Sequence, residues 1–259
     1  MARELLVIEA PKEAARIITF IQHTVRAAPA SGVVVGLSGG IDSAVVAALC
    51  ARALAREKVL ALLLPSDHTP KQDIEDALNL AVSLGVRRET IPISRIVGAI
   101  TSLAAVEGTR IARANVEARV RMSILYYHAN SLGYLVAGTG DRSESLRGYF
   151  TKWGDGGVDF LPVAHLYKTQ VRRLGTYLGI SKGVVKKPSS PQLWPGHKAS
   201  DEIPADYDKL DLVLHYLFDL KATPAKAASG ARVAPEVVER VLEMNKRTAH
   251  KRTAPPFLG

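Results

Sequence analysis

The feature that most constrains the fold is a short apolar run that leads directly into a glycine turn and then into an alanine-rich stretch. Residues 33–37 (VVVGL) predict a buried strand, residues 38–43 read SGGIDS, and residues 41–57 predict a helix. A glycine turn at a helix N-terminus favours anion binding, because the glycines admit close approach and the unpaired amides point at the charge. The loop lacks the lysine of a Walker A motif, so it belongs to another type of phosphate loop.

The rest of the chain predicts an α/β fold: a doubly wound, mostly parallel sheet flanked by helices, with a C-terminal helical extension. An N-terminal helix opened by Pro11 is followed by strands at 59–64, 89–93 and 134–137 and helices at 70–84 and about 111–132. Residues from about 207 to 248 predict two or three short helices. We expect one domain over residues 1–259.

A long irregular segment interrupts this order. Residues 186–206 (KKPSSPQLWPGHKASDEIPAD) are rich in Pro and Ser and follow neither the helical nor the strand period. Trp194 favours a lid over a disordered link, because a tether gains nothing from a large apolar side chain.

The composition indicates which kinds of partner the protein binds and in which cellular compartment it works. Lys and Arg outnumber Asp and Glu by 34 to 25, and the net charge of +9 favours polyanions such as nucleotides, pyrophosphate or nucleic acid. Cys50 is the single cysteine, which excludes an intramolecular disulfide and suits a reducing compartment. Early acidic residues argue against a signal peptide, and the apolar run 59–64 is too short to span a bilayer. We expect a cytoplasmic protein.

Asp42 carries the chemistry of the loop. A carboxylate beside phosphates repels them unless a divalent cation lies between, so Asp42 is interpreted as a Mg²⁺ ligand. The alternative is that Asp42 only caps the helix. With this strand, loop and helix, the chain resembles the N-type ATP pyrophosphatases, the PP-loop superfamily, which adenylate a substrate oxygen and release pyrophosphate.

Four further segments resemble one family of that superfamily, the NAD synthetases. They are NVEARVRM (115–122), GTGDRSE (138–144), GYFTKWGDGGVDFLPVAHLYKTQV (148–171) and PSSPQLWPG (188–196). The resemblance implies that deamido-NAD, ATP and ammonia are converted to NAD, AMP and pyrophosphate through a nicotinyl adenylate. The chain departs from the family in carrying Asp141-Arg142 where Asn-Lys is common.

The resemblance also implies the site residues. It assigns ATP contacts to Gly36, Leu37, Ser38, Gly39, Gly40, Ile41, Asp42, Ser43, Thr139, Lys168 and Ser190. It assigns deamido-NAD contacts to Arg119, Lys152, Asp159, His250 and Lys251, and Mg²⁺ to Asp42 and Glu144.

Several of these side chains have ordinary structural interpretations as well. Glu144 can be an acid favoured by a helix start, and Lys168 a lysine whose stem packs on a core face. Arg119 can belong to a solvated helical face, Ser190 to a turn, and His250 and Lys251 to a solvated basic tail.

The catalytic hypothesis rests on three residues. Ser38 and Asp42 belong to the loop that stabilises the departing pyrophosphate. Asp155, in the GDGG turn, is the candidate that binds ammonium and helps to remove its proton. A turn residue that tolerates the left-handed conformation is the alternative for Asp155.

The nitrogen source and the assembly follow from the resemblance and from the length. The chain has neither the length nor a candidate cysteine for a glutaminase domain, so free ammonia is expected unless a separate glutaminase delivers it. The family implies a homodimer, and no nucleic acid or membrane partner is expected. The rivals are a tRNA-modifying adenylating ligase and a non-enzymatic nucleotide sensor, which would bind ATP without releasing AMP.

Overall fold

A four-stranded parallel sheet forms the centre of the computed structural model, which describes residues 5–188 and 205–258. The strands are β1 (Gly32–Gly36), β2 (Val59–Leu63), β3 (Arg87–Thr90) and β4 (Tyr134–Ala137), in the order β3-β2-β1-β4. The chain runs outward from β1 to β3 and then returns to the other side of β1. Parallel sheets of this kind bind ligands where the order reverses, here between the carboxyl ends of β1 and β4.

Helices cover both faces of the sheet, so the strands are apolar on both sides. Val33 and Val35 pack against one helical layer, and Val34 packs against the other. The first layer contains α1 (Ala10–Ala27), α2 (Ile41–Ala53), α3 (Lys71–Leu84) and α7 (Lys168–Leu178). The second contains α4 (Ser94–Ser102) and α5 (Arg110–Leu132). The doubly wound α/β class predicted from the sequence is confirmed.

The C-terminal helices have a core of their own. It is built by α9 (Tyr207–Leu214), a π turn (His215–Asp219), α10 (Pro224–Ala231) and α11 (Pro235–Arg247). Two short helices, α6 (Arg142–Arg147) and α8 (Lys182–Lys186), lie in the chain between the sheet and this extension. The predicted helical extension is therefore present.

Local chemistry explains where the structure differs from the predicted elements. The predicted strand 89–93 is displaced to Arg87–Thr90, because Pro92 has no amide to donate and Ile93 already precedes α4. The predicted helix 41–57 ends at Ala53, where Leu54 becomes extended. Helices α4 and α8 were not predicted, and a helix start at Glu144 was considered only as the structural alternative for that residue. Most of the predicted lid, with Ser190 and Trp194, lies outside the described residues.

Within the described ranges, every helix is too short or too polar to cross a lipid bilayer.

Two glycines that end helices provide a test of how the extension packs on the site. Gly148 ends α6 and Gly179 ends α7, with φ of 64° and 83°. A Cβ at Gly148 would lie 2.1 Å from Thr248 Oγ1, whereas a Cβ at Gly179 would have no neighbour within 4 Å. The tail of the extension therefore lies directly on the end of α6.

We predict that Gly148→Ala lowers the free energy of unfolding clearly more than Gly179→Ala. Both substitutions force alanine into the left-handed region, at about 1–2 kcal/mol. Only Gly148→Ala adds an overpacked contact, at about 1–3 kcal/mol more. Urea unfolding of the two variants measures the difference. Equal losses would contradict the close packing of Thr248 on Gly148.

Candidate active site

The phosphate loop lies where the order of the strands reverses. Leu37 continues β1 by donating from its amide to Leu62 O at 2.8 Å, and the chain then turns through Ser38, Gly39 and Gly40 into α2. Gly39 has φ of +78°, and a Cβ there would lie 2.2 Å from Asp73 O, so the turn requires glycine. The first amides of α2 have no partner within the helix, as an anion site requires.

The loop also arranges its own hydroxyl groups. Ser43 Oγ donates to Gly40 O at 3.1 Å and lies 3.1 Å from Ser38 Oγ. Gly40 N donates to Ser38 Oγ at 3.3 Å. Every predicted loop residue except Gly39 lines one cleft of about 510 Å³, and Thr139 after β4 lines it as well.

An ammonium group surrounded by carboxylates forms the polar floor of this cleft. Lys168 Nζ lies 2.6 Å from Asp42 Oδ2, 2.9 Å from Glu144 Oε1 and 3.0 Å from Asp141 Oδ2. The side chains of Lys168 and Asp141 are 1% and 0% exposed. We refer to these four residues as the carboxylate cage. Lys168 lies at the start of α7 but its ammonium is buried, so it does not extend toward solvent.

Burial and charge determine the protonation of the cage. Burial raises the pKa of the Asp42 and Asp141 carboxyls, and the nearby Lys168 ammonium opposes this shift. Burial lowers the pKa of Lys168, but the three carboxylates outweigh it and hold that pKa well above its ordinary value. Lys168 is therefore charged, and three carboxyl groups surround its ammonium.

The cage fits the predicted magnesium role in its donor chemistry. Asp42 Oδ1 is buried and has no hydrogen-bond partner, so one hard oxygen remains available to a cation. The described residues contain no group of three or more side chains arranged as a complete metal site. Magnesium commonly takes only one or two protein carboxylates and completes its shell with water and substrate phosphates. Asp42 and Glu144 are the residues that would hold it.

The starts of two helices position the cage. Asp141 and Glu144 form a capping box on α6, in which Asp141 Oδ1 accepts from Glu144 N at 2.8 Å. Asp42 is not a cap, because Gly40 occupies the N-cap position of α2. The structural alternative for Glu144 and its predicted role in the site are therefore compatible.

A buried carboxylate of the C-terminal extension joins these helix starts. Asp211 on α9 accepts from Ser143 Oγ at 2.6 Å and from Thr169 N at 2.8 Å. Ser143 Oγ in turn accepts from Lys168 N at 3.0 Å. The extension thereby fixes the spacing between Glu144 and Lys168.

Asp155 also lines the cleft. Its Oδ1 accepts from Thr151 N at 2.8 Å, and Thr151 Oγ1 donates to Asn115 Oδ1 at 2.7 Å. Asp155 is accessible to solvent from the cleft. The protein atoms around its carboxyl group nevertheless desolvate it, which raises the pKa of Asp155 to about 6. The carboxylate thus orders its turn and also faces the cleft, so both interpretations of Asp155 stay open.

The predicted substrate residues divide into two groups. Lys251 lines the cleft, and its Nζ donates to Gly148 O at 2.9 Å and Phe150 O at 2.8 Å. Four others lie outside the lining of the cleft: Arg119, Lys152, Asp159 and His250.

Three of these outer residues form a chain of contacts on the surface. Arg119 donates to Lys152 O at 3.4 Å, and Lys152 Nζ donates to His250 O at 2.5 Å. Both carboxylate oxygens of Asp159 have partners within the fold. Oδ2 accepts from Val136 N of β4 at 2.7 Å, and Oδ1 accepts from Tyr126 OH of α5 at 3.0 Å. Ser190 lies outside the described residues.

Sequence reasoning missed three residues that the structure brings to the cleft or to the carboxylate cage. Asp141 completes the carboxylate cage, and the Asp-x-x-Glu spacing of a capping box was a usable signal. Arg121 lines the cleft where Arg119 does not, and its Nε donates to Leu64 O at 3.0 Å. Lys187 lines the cleft from the end of α8, and no motif indicated it.

The doubly wound sheet, the glycine loop and the carboxylate cage together are typical of an α/β enzyme that acts on a phosphate-bearing ligand. Comparison with known proteins is more specific. The chain belongs to the NAD synthase family, whose sequence model matches residues 13–255.

Similar proteins cover nearly the whole chain. A protein of Hyperthermus butylicus described as NH(3)-dependent NAD(+) synthetase is 49% identical over 98% of this chain and 92% of its own length. A Campylobacter jejuni structure, an NH3-dependent NAD synthetase with nitrate, has a TM-score of 0.84 and 32% identity, covering 97% of this chain and 100% of that one. A Francisella tularensis structure described as NMN synthetase has a TM-score of 0.87 and 33% identity, covering 97% and 99%.

We predict that Lys168→Met destabilises the protein by about 3–5 kcal/mol, because it leaves buried carboxylates without their ammonium. Adding Asp141→Asn to the same chain should recover part of the loss, since it removes the fully buried carboxylate. Lys182→Met, at an exposed position on α8, serves as the control. Urea unfolding at neutral pH gives the three values. A loss below about 1 kcal/mol for Lys168→Met would contradict the cage.

Proposed function

We propose that the chain amidates deamido-NAD to NAD with ATP and free ammonia, releasing AMP and pyrophosphate. The observation that carries the proposal is that the phosphate loop and the Lys168 and Glu144 side chains of the carboxylate cage line one cleft and meet at Asp42. Membership of the NAD synthase family supports the proposal. So does the similarity to relatives described as NH(3)-dependent NAD(+) synthetases, which covers nearly the whole chain. The single-domain organisation, the lid and the cytoplasmic location stay predictions.

The first half of the reaction needs an activated carboxylate. A nicotinate carboxylate repels nucleophiles, so one of its oxygens first attacks the α-phosphorus of ATP. The loop amides and the Ser38 and Ser43 hydroxyls donate to the departing pyrophosphate. Asp42 and Glu144 would hold Mg²⁺, which offsets negative charge on the triphosphate when it is bound.

The second half needs a neutral nitrogen nucleophile. Ammonia attacks the acyl carbon of the nicotinyl adenylate and expels AMP. Asp155 faces the cleft with one oxygen engaged by Thr151 N, and its carboxylate binds the ammonium ion and accepts a proton. Cys50 takes no part, because it is fully buried on α2 and burial raises its pKa to about 12.

We also propose a homodimer formed through the outer face of α4 and α5. Tyr127 and Leu103 there are 72% and 86% exposed. Tyr127 and Arg119 line an apolar groove of about 460 Å³ on this face. A second copy on this face would bring its own groups near the outer predicted substrate residues. Sedimentation equilibrium tests this, and a monomer at micromolar concentration would contradict it.

The decisive experiment follows AMP and pyridine nucleotide together in purified protein with ATP, Mg²⁺ and ammonium. Parallel tubes contain deamido-NAD, nicotinate mononucleotide or neither, since the similarity to the Francisella NMN synthetase makes the mononucleotide the rival substrate. AMP and NAD formed only with deamido-NAD support the proposal. If product forms only from the mononucleotide, the mononucleotide is the substrate in place of deamido-NAD. If no AMP forms in any tube, the proposed adenylating activity is overturned.

We predict that Asp155→Asn lowers turnover by about 10²-fold or more, because asparagine cannot accept the proton. Asparagine can still accept from Thr151 N, so the turn and the thermal midpoint should be retained. In the unaltered chain, activity at a fixed concentration of free ammonia should fall as the pH drops through about 6, where Asp155 becomes protonated. Unchanged turnover of Asp155→Asn across this pH range would leave Asp155 with its turn role alone.

A further inference from the structure

Lys187 occupies an unusual place at the edge of the cleft. Its Nζ lies 3.1 Å from Gly39 O, 2.6 Å from Asp73 Oδ1 and 2.5 Å from Asp76 Oδ2. The ammonium therefore joins three segments: the phosphate loop, the first turns of α3 and the end of α8. No role was assigned to this lysine from its sequence context.

The contact with Gly39 involves the tightest point of the phosphate loop. Gly39 has a positive φ and packs against the backbone of Asp73, so its peptide has little freedom to rotate. Its carbonyl points to Lys187, and the chain enters α2 one residue later at Gly40. A donor that holds this carbonyl also fixes the direction of the amides that follow it, which are the groups that face a bound phosphate.

The charge of Lys187 matters as much as its position. Asp73 is buried and lines the cleft together with Ser38 and Gly40 of the loop. Without a cation, the Asp73 and Asp76 carboxylates would add negative charge beside a site that must accept a triphosphate. Their hydrogen bonds outweigh the effect of burial and raise the pKa of Lys187, so it is charged at neutral pH.

We propose that Lys187 is a positioning residue for ATP: it holds the Gly39 carbonyl and neutralises Asp73 and Asp76, so that the loop is preformed for the phosphates. Lys187 makes no hydrogen bond to the carboxylate cage and acts through the loop. The proposal rests on the proposed function only in naming ATP as the ligand.

The test compares Lys187→Met with Lys187→Arg, which keeps the charge, and with Lys186→Met, an exposed lysine one residue earlier. Calorimetric titration gives the Kd for ATP with Mg²⁺, and steady-state assays give KM for ATP and for deamido-NAD. Lys187→Met should raise the Kd and KM for ATP by about tenfold, the size of one charged hydrogen bond, with KM for deamido-NAD unchanged. Lys187→Arg should recover most of this loss, and Lys186→Met should behave as the unaltered chain.

A merely structural role would give a different pattern. It would lower the thermal midpoint and the active fraction of Lys187→Met and leave both KM values unchanged, which would overturn the proposal. If Lys187→Met does not fold, Lys187→Gln keeps a polar side chain but leaves Asp73 and Asp76 without their cation, so it should still weaken ATP binding by a few fold. An unchanged Kd there would also overturn the proposal. An unaltered chain that binds ATP but forms no AMP would contradict the proposed function alone.

Discussion

The burial of one ammonium group among three carboxylates is the interaction on which the site depends. Lys168 brings together Asp42 from the start of α2 and the Asp141–Glu144 pair from the start of α6. None of these charges could be buried alone, because an unpaired ion in a protein interior is strongly unfavourable. The cage thus holds the carboxyl ends of β1 and β4 at a fixed separation before any ligand arrives.

The phosphate loop and the alternation of strands and helices could be predicted because their signals are local. SGGIDS follows an apolar strand directly, and the strand at Tyr134–Ala137 was predicted with its observed bounds. Which arginine of α5 faces the cleft could not be predicted. Helical spacing puts Arg119 on one stripe with Asn115 and Met122, and those two residues do line the cleft, but Arg121 lines it and Arg119 does not.

Contacts between distant segments account for the rest of what the sequence did not reveal. Asp211 lies 68 residues from Ser143, yet their hydrogen bond helps to fix the helix starts of the cage. Thr248 lies 101 residues from Arg147, whose carbonyl accepts from its hydroxyl. The C-terminal extension is therefore a support for the site, although its own sequence carries no chemistry that identifies it as one.

The two edges of the sheet have a consequence for self-association. At one edge, β3 exposes Arg87, Arg88 and Glu89, and charged side chains on an edge strand disfavour pairing with another sheet. At the other edge, the Asp159 carboxylate already accepts from Val136 N. Copies of the chain are thus discouraged from joining edge to edge into a continuous sheet, and association is left to helical faces, where it can stop at a closed assembly.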